Sequence, residues 1–371
     1  KMDSKVHSIC GIDLGSQNIV GFKWNLDPSS HEASSYTIVY SDLNNRLFVT
    51  NIALGDRLIN AADHAKLDRK NISSLALLPL TLMNPNLERE NSQFTKNTYE
   101  SKDGLTLISV RNSKGELTLS FYSLYAYLLW YFFYRTIDAD NKLYTSVYSF
   151  MDEHSETLRD MKPVISIPSI LSKSNVRLLK AAILAYGLPE PTFVLAPIAF
   201  ALSYGYFTCL EMNADSESIV VVPNCGYCFF SVDVFKLQRN KITFLYSSIT
   251  DGVGGRSLTY LMARMVQEQC AELSLEQMES LPFLRLLDQL DKQKKVLCTG
   301  VVEDVSVNLD DVLSGDEDVA VTLNYKDFIS RFHNDNTMAG VFREGVQAAA
   351  KFLESHGLKA DVIVPLGGSM R

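Results

Sequence analysis

Twice along this chain a buried strand runs into a tight turn and returns as a second strand, and each time further strands and then helices follow. The first unit opens at Ile9-Cys10-Gly11-Ile12-Asp13-Leu14-Gly15 and returns over 19–25. The second opens at 219–222 and returns over 229–235. Short apolar runs bounded by turn residues read as buried strands. A pattern that restarts partway along implies two α/β lobes of similar construction. The 371 residues, 46% of them hydrophobic, suffice for two cores of ordinary size. The first lobe is placed at 8–213 and the second at 214–371, with the polar segment 212–217 as a hinge.

Between the two openings, strands are predicted at 36–40, 47–53, 105–110 and 116–121, the last pair flanking the hairpin signal Asn112-Ser113-Lys114-Gly115. The stretch 121–133 reads FYSLYAYLLWYFF. It is shorter than the roughly 20 apolar residues needed to span a bilayer and is rich in Tyr, so a buried core helix is expected, with a partner-binding helix face as the alternative. A strand at 163–167 precedes a helix at 175–186, with Ser172 as N-cap and Gly187 and Pro189 at its end. A strand at 193–195 and a helix at 199–206 complete this half. The second half reads as a strand at 241–247, long helices at 255–270 and 275–297, a solvated acidic loop at 314–318, a strand at 319–324, a helix at 337–356 and a strand at 361–365.

The net charge of −8 argues against nucleic acid, which needs clustered Lys and Arg. No membrane association is expected either. Six scattered cysteines form no disulfide framework and point to a reducing compartment. The start, Lys1-Met2-Asp3-Ser4-Lys5, has no signal-peptide core. A cytoplasmic location is expected, with the endoplasmic reticulum lumen as the alternative. Cys225-Gly226-Tyr227-Cys228 has the C-x-x-C spelling, but thiol chemistry wants the first Cys at a helix N-terminus. Here a strand pattern follows it, so a turn is expected. No second pair supports zinc, and the six His are dispersed. Asn71-Ile72-Ser73 is a glycosylation sequon that matters only in a secreted protein.

In Gly11-Ile12-Asp13-Leu14-Gly15-Ser16-Gln17 a strand turns sharply, so that backbone N–H groups can face a phosphate and an Asp a bound metal. This segment resembles the first phosphate loop of the 70-kDa heat-shock proteins and their 110-kDa relatives. Val164-Ile165-Ser166-Ile167-Pro168-Ser169, with Ala199-Phe200-Ala201-Leu202-Ser203-Tyr204-Gly205 after the helix, resembles the family's strand–Pro–helix connection. Asp251-Gly252-Val253-Gly254-Gly255 resembles its Gly-Gly turn into a long helix. Asp291-Lys292-Gln293-Lys294-Lys295-Val296-Leu297-Cys298 resembles its adenosine-contacting helix, and Gly367-Gly368-Ser369-Met370-Arg371 its closing adenosine loop. The segments run in family order over nearly the whole chain, and the GSQ form of the first loop leans towards the 110-kDa cochaperone branch. The resemblance implies an actin-like ATPase fold: ribonuclease H-like duplicated lobes with mixed sheets and a central cleft. It also implies nucleotide contacts from Asp13, Gly15, Ser16, Gln17, Gly254, Gly255, Asp291, Lys294, Lys295, Cys298, Gly367, Gly368, Ser369 and Arg371.

The departures bear on mechanism. Pro223-Asn224-Cys225-Gly226-Tyr227-Cys228-Phe229-Phe230 stands in place of the family's second phosphate loop. Pro223 replaces the water-orienting Asp and has no N–H. Tyr227 and Cys228 replace a Gly and a Thr, which blocks close backbone approach to a phosphate. Phe230 replaces a second acid, Ala196 replaces the acid before Pro197, and 71–78 has no Lys where the catalytic one is expected. Of the metal and water groups only Asp13 remains. Hydrolysis needs a metal and positioned donors around the γ-phosphate, so no catalytic residue and no metal site are assigned. Weak binding of ATP or ADP on the adenosine side is expected, with little support for Mg²⁺. The partners implied are a 70-kDa heat-shock chaperone, as target of nucleotide exchange, and unfolded polypeptide, held by a C-terminal domain missing from this chain. The alternatives are an ATP-hydrolysing chaperone that depends on Asp13, and a nucleotide-free scaffold with Tyr227, Phe229 and Phe230 filling the phosphate space.

Overall fold

The computed structural model describes residues 8–15, 17–27, 29–30, 33–40, 46–54, 59–61, 75–77, 98–102, 105–112, 114–137, 147–209, 216–239, 241–270, 273, 281–310, 312–313 and 319–368. The chain divides into two compact units, 1–199 and 200–371.

The first unit begins with β1 (Ser8–Leu14), β2 (Asn18–Leu26), β3 (Ala33–Ile38), β4 (Phe48–Val49), β5 (Asn51–Leu54), β6 (Ile59–Ala61) and β7 (Leu75–Leu77). It continues with β8 (Thr98–Lys102), β9 (Leu105–Asn112), β10 (Gly115–Ser120), α1 (Phe121–Ile137), α2 (Val147–Arg159), β11 (Met161–Ile167), α3 (Lys173–Ala185) and β12 (Thr192–Leu195). The main sheet has the order β12-β11-β1-β2-β3, with β4 also on β2. β1, β2 and β3 form an antiparallel meander, and β11 lies parallel to β1 on its other side.

The run 47–53, predicted as one strand, is two. Thr50 donates its N–H to Gln17 O at 2.9 Å, and the chain changes sheets there. β4 pairs with β2, whereas β5 pairs with β6 and β7. α1 is apolar all round, which in a globular protein means burial. Phe121, Tyr125, Leu129, Phe132 and Phe133 are buried in the first unit's core, so this helix is core, as expected. Among the described residues no helix is long and apolar enough to cross a membrane. Phe132 lies directly over Gly21 on β2. A Cβ at Gly21 would collide with its ring and stand 2.6 Å from Gly11 O. α3 is capped as predicted: Ser172 Oγ accepts from Asn175 N–H at 3.2 Å, and Gly187 follows with φ +74°. α2, kinked at His154, was not foreseen.

α4 (Ala196–Cys209) spans the division. The second unit adds β13 (Glu217–Cys225), β14 (Phe229–Gln238), β15 (Lys241–Asp251), α5 (Gly255–Gln269), α6 (Leu281–Leu297), β16 (Asp304–Asn308), β17 (Ala320–Asn324), α7 (Tyr325–Asn334), α8 (Asn336–Ser355) and β18 (Val362–Ile363). Its sheet has the order β15-β14-β13-β18. It too is an antiparallel meander with a parallel strand beside the first strand, so the pattern that restarts in the sequence is realised as the same sheet plan. Along β13 successive side chains face opposite ways. Ile219 and Val221 join a core with Ala349 and Leu353 of α8, while Val220 and Val222 join one with Ala201 of α4. A sheet covered on both faces explains the unbroken run Ile219-Val220-Val221-Val222. A third core gathers α5, α6, α7 and the β16–β17 hairpin around Met262, Leu286, Val307 and Phe328.

β16 and α7 were not foreseen, although β16 alternates between exposed and buried residues as a strand should. Asp335 serves both α7 and α8. It ends the first helix, and its Oδ1 accepts from Thr337 and Met338 N–H at 3.0 and 3.1 Å. The acidic loop 314–318, residues 71–74 and most of the proposed hinge lie outside the described residues. The helix predicted over 275–297 is described from Leu281.

Candidate functional site

In the first unit, Gly15 closes the β1–β2 turn by donating its N–H to Asn18 O at 3.0 Å. The turn's carbonyls are also engaged: Tyr125 on α1 donates its hydroxyl to Gly15 O at 3.0 Å, and Gln17 O accepts from Thr50. Asp13 lies beside Ser166 on the paired strand β11, and Ser166 Oγ donates to its carboxylate at 2.9 Å. The residue as a whole is exposed, yet burial of its carboxyl end by the surrounding chain raises its pKa, offset in part by the Ser166 bond. Asp13, Gly15 and Gln17 therefore share one turn. Ser16 lies outside the described residues.

In the second unit the β13–β14 hairpin is the hub. Gly226 N–H donates to Phe229 O at 3.0 Å, which leaves Tyr227 and Cys228 as a two-residue tip. The tip is bound to the start of α5. Gly226 O accepts from Gly255 N–H at 2.9 Å, Tyr227 O from Arg256 N–H at 2.8 Å, and Cys228 O from Gly252 N–H at 3.0 Å. The first N–H groups of a helix have no partner within it and make a ready anion site. Here those of Gly255 and Arg256 are taken by the chain. Gly254 allows the approach, since a Cβ there would stand 2.7 Å from the Gly226 and Tyr227 oxygens.

The closing segment meets the same hairpin. Leu366 N–H donates to Pro223 O at 2.8 Å, and Cys225 N–H to Leu366 O at 3.0 Å. Ile219 O and Val221 O likewise accept from Asp361 and Val364, so the N–H that Pro223 lacks would have faced this segment. Gly367, with φ +90°, is so close to Cys225 O that a Cβ would overlap it. Gly368 is exposed, and Ser369 and Arg371 lie outside the described residues.

α5 and α6 are tied by Lys294, which is 3% exposed. Its Nζ donates to Gly255 O at 2.7 Å, Thr259 Oγ1 at 2.9 Å and Asp291 Oδ1 at 2.8 Å. These acceptors match the ammonium's full set of donors. Lys295, its side chain 52% exposed, donates to Asp291 Oδ2 at 2.8 Å. Burial opposes the Asp291 charge, but the Lys294 cation and the bonds from both lysines outweigh it and hold the pKa at about 2. Burial raises the Cys298 thiol, with the Lys294 charge acting the other way. Gly255, Asp291, Lys294 and Lys295 thus form one cluster, with Cys298 a turn along.

Tyr227, Arg256 and Tyr260 also belong to this cluster, and none of them was among the predicted contacts. The Tyr227 phenol is buried, although part of the residue still meets solvent. Burial raises its pKa, and the Arg256 cation offsets this in part. Cys228, Tyr260 and Asp291 also lie within electrostatic reach. The Arg256 guanidinium sits 5.9 Å from the Tyr260 ring centroid and is hydrogen-bonded to that side chain. The arginine directly after Gly254-Gly255 was the available signal. Phe230 is core: it is buried, packs on Phe342 with ring centroids 4.5 Å apart, and lies against Gly345. Cys225 and Cys228 are buried and not disulfide-bonded, and Cys225 ends a strand, as expected for a turn.

The hairpin tip does not fit a phosphate group. Two donors at the start of α5 are taken, and a tyrosine occupies the tip where a phosphate would approach. Asp291, Lys294 and Lys295, for which the resemblance implied adenosine contacts, form one charged cluster. A family model described as Hsp70 protein matches residues 141–371, more than half of the chain. With the two mixed α/β units, the match gives the actin-like ATPase fold that was expected.

Proposed function

Because the chain belongs to the Hsp70 family, we propose that this chaperone-type nucleotide-binding domain does not hydrolyse ATP and acts as a cochaperone on the 110-kDa side of the family. Its job is to speed nucleotide exchange on a 70-kDa partner. Unfolded polypeptide is its second class of partner, and the setting is the cytosol. The observation that carries the reading is the hairpin tip. Phosphoryl transfer depends on a metal and on free, preorganised donors at the γ-phosphate. At this tip the carbonyls of Gly226 and Tyr227 engage the α5 donors, and Phe230 is built into the core. Nucleotide binding, where it occurs, is weak, independent of Mg²⁺ and confined to the cluster around Asp291 and Lys295.

The test mixes this chain with a 70-kDa chaperone preloaded with fluorescent ADP and follows its release. Phosphate production from ATP by the chain alone is measured in parallel. Release is expected to accelerate severalfold, with phosphate production at background. Turnover that Asp13→Ala abolishes would overturn the non-hydrolysing reading, and unchanged ADP release would remove the exchange role.

A further inference from the structure

Tyr227 sits on a tip that cannot swing away as a body. Its own carbonyl accepts from Arg256 N–H, and the carbonyls on either side accept from Gly255 and Gly252 N–H, all within 3.0 Å. The tip meets the charged cluster through Gly255, whose N–H donates to Gly226 O at 2.9 Å and whose carbonyl accepts from Lys294 Nζ at 2.7 Å, and the half-buried Tyr227 side chain lies within electrostatic reach of Arg256, Tyr260 and Asp291. Asp291 is itself fixed by Lys294 and Lys295. A phenol brings a planar ring and a hydroxyl to a place that offers a carboxylate and a guanidinium, and aromatic rings and cations attract one another. A nucleoside would bring the same chemistry.

We infer that Tyr227 is an intramolecular plug: its ring stands in for a nucleoside beside Asp291, and a free nucleotide binds only when the ring leaves. The inference rests on the family reading for the identity of the ligand. The ring leaves by rotation about its own side-chain bonds while the tip stays bonded to α5. If the open form is a minor population, apparent affinity is reduced by its fraction. Removing the ring restores the loss, about tenfold or more for a minor state of ordinary population.

Isothermal titration of the full chain with ADP, without Mg²⁺, tests this. Wild type is expected to bind weakly, Tyr227→Gly about tenfold or more tightly, and Tyr227→Gly with Lys295→Ala weakly again. Equal affinity for wild type and Tyr227→Gly would overturn the plug. So would a gain that Lys295→Ala leaves untouched, since the ligand would then sit elsewhere. Glycine loosens the tip, so Tyr227→Ser and Tyr227→Phe are measured beside it with circular dichroism as the fold control. Serine should open the site and phenylalanine, which keeps the ring, should not; a phenylalanine variant as tight as the serine one would also overturn the plug. The two proposals fail separately. Faster ADP release from a partner with no gain in Tyr227→Gly leaves the cochaperone and refutes the plug, and the reverse result does the opposite.

Discussion

Two buried carboxylates in the second unit have opposite protonation behaviour. Asp291 accepts from two ammonium groups, and its pKa is held at about 2, below the ordinary value of about 3.9. A lowered acid stabilises the fold above its unfolded pKa and loses that contribution as pH falls through the folded one. Asp291→Asn is therefore expected to cost about 2–4 kcal/mol at neutral pH, because it also leaves Lys294 unpaired. The gap to wild type should close between about pH 4 and 2, as followed by urea unfolding at stepped pH. A gap that stays constant would mean that shape, not charge, sets the cost. The Asp233 carboxylate accepts from two hydroxyls, Ser231 Oγ at 3.0 Å and Ser247 Oγ at 2.6 Å. Burial raises its pKa and these bonds lower it in part. Its contribution is fullest below the unfolded pKa and fades as pH rises through the folded one.

At the scale of elements, α1 shows what hydrophobic pattern can decide. A helix apolar on every side has no solvent face to offer, and its aromatic rings close over β2 at Gly21. Gly21→Ala is expected to cost about 1–3 kcal/mol through overpacking against Phe132 and the Gly11 carbonyl, read as a lower urea midpoint at unchanged slope. Local signals were legible for the same reason: Ser172 and Gly187 act on their own neighbours. The split at Thr50 was not legible, because it depends on a bond to Gln17 in the distant β1–β2 turn. The hairpin hub was hidden more deeply. It is held by carbonyl oxygens of Gly226, Tyr227 and Cys228, which every residue type possesses. The side-chain replacements Pro223, Tyr227 and Phe230 spelled loss of a phosphate loop and gave no sign of the contacts that replace it.

Across the whole molecule, the same sheet plan appears in both units, and the family match covers all of the second. A ligand stabilises a fold only by as much as it binds. With ADP no more concentrated than its dissociation constant, the gain is about 0.4 kcal/mol at most, or about 1 °C in melting temperature. Calorimetry of the full chain with and without ADP and Mg²⁺ should show a shift of that size or less. A rise of several degrees would mean a working nucleotide cradle.

The bonds from the hairpin tip to the start of α5 have one more consequence. A turn whose polar groups are satisfied within the chain holds the same arrangement whatever nucleotide surrounds it. On this reading the domain keeps no record of the cell's energy charge. If it is the exchange factor proposed above, it presents one hairpin arrangement to its 70-kDa partner throughout, and the timing of the pair belongs to that partner.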